Sequence, residues 1–392
     1  MNMQIRLIFI FTLAAFSIGL SEFIIIGIVG NLIEQLNITL SQVGLFISVY
    51  ALGISLGAPI LTYLTKNIKG KILFIILLAL FSIFNILLIS TKIFYLLLLF
   101  RACSGIIHGI FFSVASAEIP TLISPEKASL AIALMFSGLT LAMVIGVPAS
   151  IYLVQLTDWH SPFIIISLIS FIASLLIIKY LPSDFGYKNS LIKKVKVQEI
   201  LNFKLIGLYI ITFFGFGGSF YFYSYIEPWL TQVNKMTIYQ ASISFTIIGI
   251  GSLLGNILGG ILPQKFKINL IFYSILVLQI ISLIIMNFKI NFYATQLALF
   301  LWSVSTFSIA PIVQTLAISS STSIYPRISA SFNVAAFNLG ISFSSYISTV
   351  NINSFGLEQL PIGAIFLVIL SLPIVYIIFN LSNKNISLIS SK

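Results

Sequence analysis

Long apolar segments follow one another along almost the whole chain, with short polar gaps between them. Each segment has about 20 residues or more, enough for an α-helix to cross the hydrocarbon core of a bilayer. The predicted spans are roughly 7–29, 42–65, 72–90, 93–118, 128–153, 161–181, 204–230, 238–263, 268–288, 290–318, 328–350 and 359–381. The pattern therefore predicts an all-α integral membrane protein with about twelve transmembrane helices.

The longest polar gap runs from Pro182 to Phe203, between the sixth and seventh spans, and it is rich in lysine. Such a gap is typical of a solvated linker. We therefore predict an N-terminal six-helix bundle at 1–181, a cytoplasmic linker at 182–203 and a C-terminal six-helix bundle at 204–392.

The two halves share a weak sequence repeat. Gly53 and Gly57 in the second span correspond to Gly251 and Gly255 in the eighth, with a serine inside each pair. Internal repeats are typical of secondary transporters, whose solute site lies near the bilayer midplane at the repeat interface. Small residues four apart also occur in ordinary membrane helices.

Composition and charge agree with a lipid environment. The chain is 59% hydrophobic and 7% charged, and a water-soluble fold of 392 residues would need more polar surface. Its net charge of +11 does not indicate nucleic-acid binding, because the basic residues lie in short gaps and form no basic face. The single Cys103 excludes an internal disulfide framework.

The distribution of the 20 basic residues predicts the orientation. Most of them fall in gaps on one side of the membrane, and Lys and Arg are retained on the cytoplasmic side. We therefore expect both termini to be cytoplasmic and the protein to lie in a cell inner membrane. The first apolar run is too long for a signal peptide and contains Glu22, so it is interpreted as a retained span.

Three ionisable residues lie within predicted spans and away from the span ends, and they are candidates for proton coupling. Glu22 and Arg101 each cost at least about 2.5–3.5 kcal/mol near a helix centre, and both fall in the outer half of the membrane, where a salt bridge between them is possible. His108 follows Arg101 by two helical turns, so the two share a helix face. The alternatives are an ion pair that only fixes packing and a neutral histidine bonded to a neighbouring helix.

Polar side chains in the second half are candidates for a solute cavity. Gln296 and Gln314 lie on the tenth span, Asn333 and Asn338 on the eleventh, and Glu227 at the predicted outer mouth of the seventh. These side chains would suit a neutral hydroxylated solute, although polar residues also join membrane helices to one another.

Motifs of other chemistries are missing from the sequence. It has no Gly-rich phosphate loop, no His/Cys metal cluster and no HExxH motif, so we expect no cofactor, no metal and no enzymatic activity. Energy for transport must then come from a gradient. The expected partners are the lipid bilayer, a small solute and protons, and the expected oligomeric state is a monomer.

Several sequence segments together resemble one transporter family. They are Ser21-Glu22-Phe23, YALGISLGAP, RACSGIIHGIFFSVAS, SGLTLAMVIGVP, YSYIEPWL and AAFNLG. The chain resembles the major facilitator superfamily, and within it the sugar-efflux and arabinose-induced exporter branch of the drug:proton antiporters. The resemblance implies two six-helix bundles around a central cavity.

The resemblance also implies roles for single residues. The family's helix 4 arginine, implicated in proton coupling, falls on Arg101. The antiporter motif of helix 5 falls on Gly138, Gly146 and Pro148, with Ser150 in place of a later glycine. These residues imply close helix packing around the motif.

The resemblance and the buried charges together suggest a proton-coupled exporter of a small solute, such as a sugar or a drug-like compound. In the loop between helices 2 and 3 the chain departs from the family, because the usual acid falls on Lys66 and the usual glycine on Lys69. An importer or uniporter of the same fold is the alternative, and a non-transporting membrane receptor or enzyme is a more distant one.

Overall fold

The computed structural model describes most of the chain, and all regular secondary structure within that part is helical. The described residues are 3–61, 64–65, 68–119, 128–183, 185, 202–288, 291–319 and 326–381. Most of the predicted linker at 182–203 and Lys66 lie outside them. The prediction of an all-α protein is confirmed.

Long helices account for the predicted spans. The first six are α1 (Ile5–Gly27), α2 (Leu40–Leu61), α3 (Gly70–Ile89), α4 (Phe94–Ala115), α5 (Leu134–Leu156) and α6 (His160–Tyr180). The next six are α7 (Phe203–Tyr223), α8 (Ile238–Ile261), α9 (Ile268–Met286), α10 (Phe292–Ala317), α11 (Pro326–Phe355) and α12 (Leu357–Phe379). Within the described residues, 11 of these helices are long and apolar enough to cross a membrane, the exception being α11.

The polarity of α11 has a structural reason. The helix has 30 residues, ample length to cross a bilayer. Its polar side chains Asn333, Asn338 and Ser345 are fully buried. They face neighbouring helices rather than lipid, so α11 can be less apolar than the others.

Apolar side chains are exposed on the outer faces of the helices. On α3, for example, Ile72, Ile76 and Ile83 are about half exposed. A water-soluble protein would bury such a row, whereas lipid is a favourable solvent for it.

The structure corrects two predicted helix ends. α1 stops at Gly27, and a separate short helix, Val29–Leu36, follows it. α7 ends at Tyr223 rather than near residue 230, after a π-helical turn at Thr212–Phe216 and a 3-10 turn. Within α7 the 3-10 turn begins at Gly217, which packs directly on the backbone of Gly340 in α11 and leaves no room for a side chain. The helix itself ends just before Tyr225, whose backbone is not helical, with φ −123° and ψ 26°.

The chain forms two compact units. Unit 1 comprises Met1–Lys193 with Tyr225–Gly249, and unit 2 comprises Lys194–Ser224 with Ile250–Lys392. In unit 1, α1 packs on α5 and α6, α2 on α4, and α3 on α4 and α6. In unit 2, α7 packs on α11 and α12, and α9 on α10 and α12. The predicted division at 182–203 stays a prediction.

The glycines of α2 allow a close helix contact in unit 1. A Cβ atom on Gly53 would collide with the carbonyl oxygen of Ala102 on α4, and one on Gly57 would collide with that of Ile106. α2 and α4 therefore approach backbone to backbone.

The same contact recurs in unit 2. Gly251 and Gly255 on α8 face the carbonyl oxygens of Phe300 and Val304 on α10, again four residues apart. Helices 2 and 4 of the first set thus correspond to helices 8 and 10, and the weak glycine repeat in the sequence reflects a repeated packing arrangement.

Candidate functional site

Arg101 is buried on α4, with only 1% of its surface exposed. Its Nη1 donates a hydrogen bond to the carbonyl oxygen of Ser21 at 2.8 Å, and its Nε donates to the carbonyl of Phe46 at 3.5 Å. The guanidinium carbon lies 4.1 Å from the ring centroid of Tyr50. The Nη2 atom is buried and has no hydrogen-bond acceptor among the described residues. The two N–H groups of one nitrogen of a buried cation are therefore available.

Tyr50 connects Arg101 to His108 and, through His108, to Glu22. The Tyr50 hydroxyl is 3.2 Å from Nδ1 of His108, and the same Nδ1 is 3.9 Å from Oε2 of Glu22. The side chains of His108 and Glu22 are 7% and 13% exposed. We call Glu22, Tyr50, Arg101 and His108 the charged cluster; it lies wholly within unit 1.

The geometry of the charged cluster differs from the simplest expectation. Arg101 and His108 do face the same side of α4, because both contact Tyr50. The salt bridge between Glu22 and Arg101 that the sequence allows is not formed within the described part of the chain. Arg101 instead bonds the backbone of Ser21, the residue that precedes Glu22 in the chain.

Sequence reasoning missed the residues that support Arg101. The Ser21 hydroxyl accepts from Arg101 Nη1 at 3.3 Å and donates to Oδ1 of Asn85 on α3 at 3.0 Å. Asn85 in turn donates to the Phe81 carbonyl at 2.8 Å. The only sequence signal was a lone amide in the apolar run of α3, which was not among the candidates. Three helices thus position the guanidinium.

Unit 2 brings three of its polar side chains together. The Thr212 hydroxyl on α7 donates to Oδ1 of Asn333 on α11 at 2.9 Å, and Nδ2 of Asn333 donates to Oε1 of Gln314 on α10 at 2.7 Å. We call these three residues the amide network. Two of the four candidates on α10 and α11 therefore share one site.

The other two candidates lie elsewhere in unit 2. Gln296 is buried near the opposite end of α10, about 27 Å from Gln314 along the helix axis. Asn338 donates to the carbonyl of Val334 in its own helix, and its buried Oδ1 has no donor among the described residues. Neither belongs to the amide network.

A second set in unit 2 parallels the support of Arg101. On α9, Gln279 donates to the Gly215 carbonyl at 2.9 Å and to the hydroxyl of Ser219, and Ser219 is 3.3 Å from the Thr306 hydroxyl on α10. Helices 7, 9 and 10 meet here as helices 1, 3 and 4 meet at Ser21. The described members in unit 2 are uncharged, whereas unit 1 has an arginine, a glutamate and a histidine.

Glu227 belongs to unit 1 and is separate from the amide network. It lies in the short helix Ile226–Pro228, beyond the end of α7, and its Oε2 accepts from the backbone N–H of Gly30 at 3.1 Å. Burial raises the pKa of its carboxyl to about 7, against hydrogen bonds from Gly30 and Thr231 that act to lower it. The carboxyl thus titrates near neutral pH.

The sequence matches the model of a known protein family. The family model described as Major Facilitator Superfamily matches residues 11–349. The chain belongs to the Major Facilitator Superfamily. Its members are transporters, so the protein is a multi-pass membrane transporter and not an enzyme.

Several named proteins are similar in sequence to this superfamily member over most of its length. The "uncharacterized MFS-type transporter YtbD" of Bacillus subtilis is 31% identical over 348 residues, 88% of each chain. The inner membrane transport protein YdhP of Escherichia coli is 29% identical over 328 residues, 84% of each chain. A probable sugar efflux transporter of Helicobacter acinonychis is 27% identical over 354 residues, 89% of each chain.

Solved structures show that the fold is the major facilitator fold. The human organic anion transporter MFSD10 superposes with a TM-score of 0.73 at 12% identity, covering 96% of this chain and 100% of that one. A bacterial homologue of the lysosomal transporter Spinster gives 0.72 at 15% identity, covering 95% and 96%. At these identities the likeness concerns the fold alone.

The positions on which the resemblance places an antiporter motif line a contact between α1 and α5. Gly138 lies against the backbone of Thr12, and Gly146 lies against the side chains of Phe16 and Leu20. A π-helical turn, Ala142–Gly146, ends two residues before Pro148, which lacks the N–H needed to continue an α-helical ladder. The motif therefore holds α5 against the helix that carries Glu22.

Proposed function

We propose that this transporter exports a small solute in exchange for protons across the inner membrane, with both termini in the cytoplasm. The observation that carries the proposal is the charged cluster, in which the Glu22 carboxylate lies 3.9 Å from the His108 imidazole. The name of one relative, a probable sugar efflux transporter, supports export. Membership of the sugar-efflux and arabinose-induced branch is part of this proposal.

The proton step rests on charge balance within the charged cluster. The Arg101 guanidinium keeps its charge, because arginine is not deprotonated in proteins. With Glu22 ionised and His108 neutral, the cluster has no net charge; a proton on Glu22 leaves one positive charge. A change of that size in a poorly solvated site shifts the relative stability of conformations strongly. Proton binding at Glu22 can thus drive the conformational cycle.

The free donor on Arg101 gives a reason for competition with the solute. A buried charged donor without an acceptor costs more than about 1–3 kcal/mol. A rotated Glu22 carboxylate or an oxygen of the solute can accept from the two N–H groups of Nη2. A carboxylate that occupies this side of the guanidinium leaves little room for a solute oxygen. Solute and ionised Glu22 would then exchange, which is the logic of an antiporter.

A neutral hydroxylated compound, such as a sugar, is the solute class that the amide network supports best. Asn333 and Gln314 present amide donors and acceptors, and Thr212 adds a hydroxyl. Amide groups pair with hydroxyls without a charge. A drug-like compound remains the alternative, and a thermal-shift screen of both classes on the purified protein would separate them.

Transport in proteoliposomes tests the proton step. We expect Glu22→Gln to abolish solute accumulation driven by an imposed pH gradient but to retain exchange of labelled for unlabelled solute, because exchange needs no net proton movement. Glu34→Gln, which neutralises an exposed acid on the short helix Val29–Leu36, is the matched control and should behave as the unmodified protein. Gradient-driven accumulation that survives Glu22→Gln would remove Glu22 from the mechanism.

An importer or uniporter of the same fold is the second candidate. Inside-out and right-side-out vesicles under opposite pH gradients distinguish the three. A proton-coupled exporter loads inside-out vesicles only when their lumen is acidic, since protons leave as solute enters. A proton-coupled importer accumulates solute when protons move in the same direction as the solute. Transport by a uniporter does not depend on the pH gradient.

A further inference from the structure

Glu227 accepts a hydrogen bond at the N-terminus of the short helix Val29–Leu36, where the N-cap residue provides none. Gly30 is the second residue of the short helix Val29–Leu36, and the N-cap residue Ile28 makes no side-chain hydrogen bond. The first N–H groups of a helix need acceptors, usually from a Ser, Thr, Asp or Asn at the N-cap. Glu227, far along the chain, supplies that acceptor at 3.1 Å. This hydrogen bond thus joins Tyr225–Gly249 to the short helix that follows α1.

Among the described residues, no cation forms an ion pair with the Glu227 carboxylate. The short helix Ile226–Pro228 packs against α1, Val29–Leu36 and the turn Trp229–Val233. The titratable side chains on these elements, on the adjoining loop and on the neighbouring helices α5 and α8 are Arg6, Glu22, Glu34, Tyr152, Tyr225, Lys235 and Tyr239. Within the described residues none of the charged ones forms an ion pair with Glu227. An unpaired buried carboxylate is costly, so the docked carboxyl favours its neutral form.

A small pocket lies beside the carboxylate. Glu227 lines it together with Asn31 and Gln155, and the rest of the wall is formed by Gly27, Ile151, Ile238 and Ala241. The three polar side chains suit water that delivers or removes a proton. The glutamate is therefore poorly solvated yet accessible to protons.

We propose that Glu227 is a second proton-binding site of this transporter, and that its protonated form keeps Tyr225–Gly249 docked on α1 and Val29–Leu36, on the predicted outer side. The docked carboxyl binds a proton more tightly than a carboxyl in water does, so protonation stabilises docking. Docking is then strongest at low pH and weakens as the pH rises through about 7, the pKa of the docked group. The site acts independently of Glu22.

Accessibility of an engineered cysteine tests the proposal. Ala241, in the pocket wall, is 2% exposed and reports undocking, whereas Tyr239, two residues away, is 74% exposed and reports only the reagent's own pH dependence. In a Cys103→Ser background, the labelling rate of Ala241→Cys by a membrane-impermeant maleimide is divided by that of Tyr239→Cys. We expect this ratio to rise on the order of tenfold between about pH 5.5 and about pH 8.5.

Further variants decide the outcome. Glu227→Gln resembles the protonated group and should give a low ratio at every pH, while Glu34→Gln should leave the pH dependence intact. The proposal is overturned if the ratio is flat in the parent protein, if Glu227→Gln retains its pH dependence, or if Glu227→Gln raises labelling at low pH. Glu22→Gln in the same background should leave the curve unchanged, so failure of the proposed proton coupling at Glu22 would not imitate failure here.

Discussion

Removal of the Tyr50 hydroxyl tests whether the charged cluster is an interacting unit. Tyr50 is 1% exposed and His108 is 6% exposed, so water cannot easily replace a lost bond between them. Tyr50→Phe deletes the oxygen that lies 3.2 Å from His108 Nδ1 but keeps the ring 4.1 Å from Arg101. The substitution thus separates the hydrogen bond from the cation–π contact.

The magnitude follows from the two contacts. A hydrogen bond between membrane helices contributes about 0.6 kcal/mol on average and up to about 1.7 kcal/mol. We expect the upper half of that range, because the histidine nitrogen would be left buried without its partner. Tyr50→Leu should cost at least about 2 kcal/mol more, since it also removes the cation–π contact with a desolvated arginine and opens a cavity.

A double-mutant cycle measures the coupling. Free energies of unfolding are determined in mixed micelles for the parent, Tyr50→Phe, His108→Leu and the double variant, and the weak 3.5 Å bond from Tyr50 to the Ile18 carbonyl cancels in the cycle. A coupling energy of zero within error would refute the idea that the hydroxyl and the imidazole stabilise each other. Equal losses for Tyr50→Phe and Tyr50→Leu would refute the cation–π contribution.

Two further predictions concern unit 2. Gly255→Ala should lower stability by about 1–3 kcal/mol, because the added Cβ would lie 2.5 Å from a carbonyl oxygen of α10. Gly260→Ala should be neutral or stabilising, because a Cβ there would meet no atom of another helix within 4 Å. Equal melting temperatures for the two variants would contradict the close α8–α10 contact. Asn333→Leu should cost more than Thr212→Val in the same measurement, because Asn333 bonds both Thr212 and Gln314, whereas Thr212→Val removes the bond to Asn333 and one within its own helix. The reverse order would show that the amide network is not centred on Asn333.

The ends of the spans show where hydrophobic pattern fails as a guide. The apolar run of the seventh span continues past Tyr223, so the pattern predicts one helix to about residue 230, yet the helix ends at Tyr223, before the non-helical Tyr225. The first span was predicted to reach residue 29 but ends at Gly27. Both errors fall at close contacts or turns, which a count of apolar residues cannot register.

The site shows a similar division. Glu22, Arg101 and His108 are recognisable in the sequence because ionisable groups are expensive within a bilayer. Ser21 and Tyr50, which contact them, are ordinary residue types in membrane helices and give no such signal, and the lone amide of Asn85 in α3 is the one hint of their support. The resemblance to an antiporter family pointed to Gly138 and Gly146, but not to the α1 residues that they contact.

The sequence by itself determined the solvent, the number of long helices and the few side chains that lipid would reject, since all three follow from the free energy of transferring each residue into hydrocarbon. The tertiary structure alone decided which groups meet: that Arg101 bonds the backbone at Ser21 instead of pairing with Glu22, and that Glu227 caps a helix almost two hundred residues away. Lipid is equally favourable to every apolar helix face, so the choice of partners rests on close packing and directional hydrogen bonds between helices, which depend on three-dimensional positions and not on the order of residues along the chain.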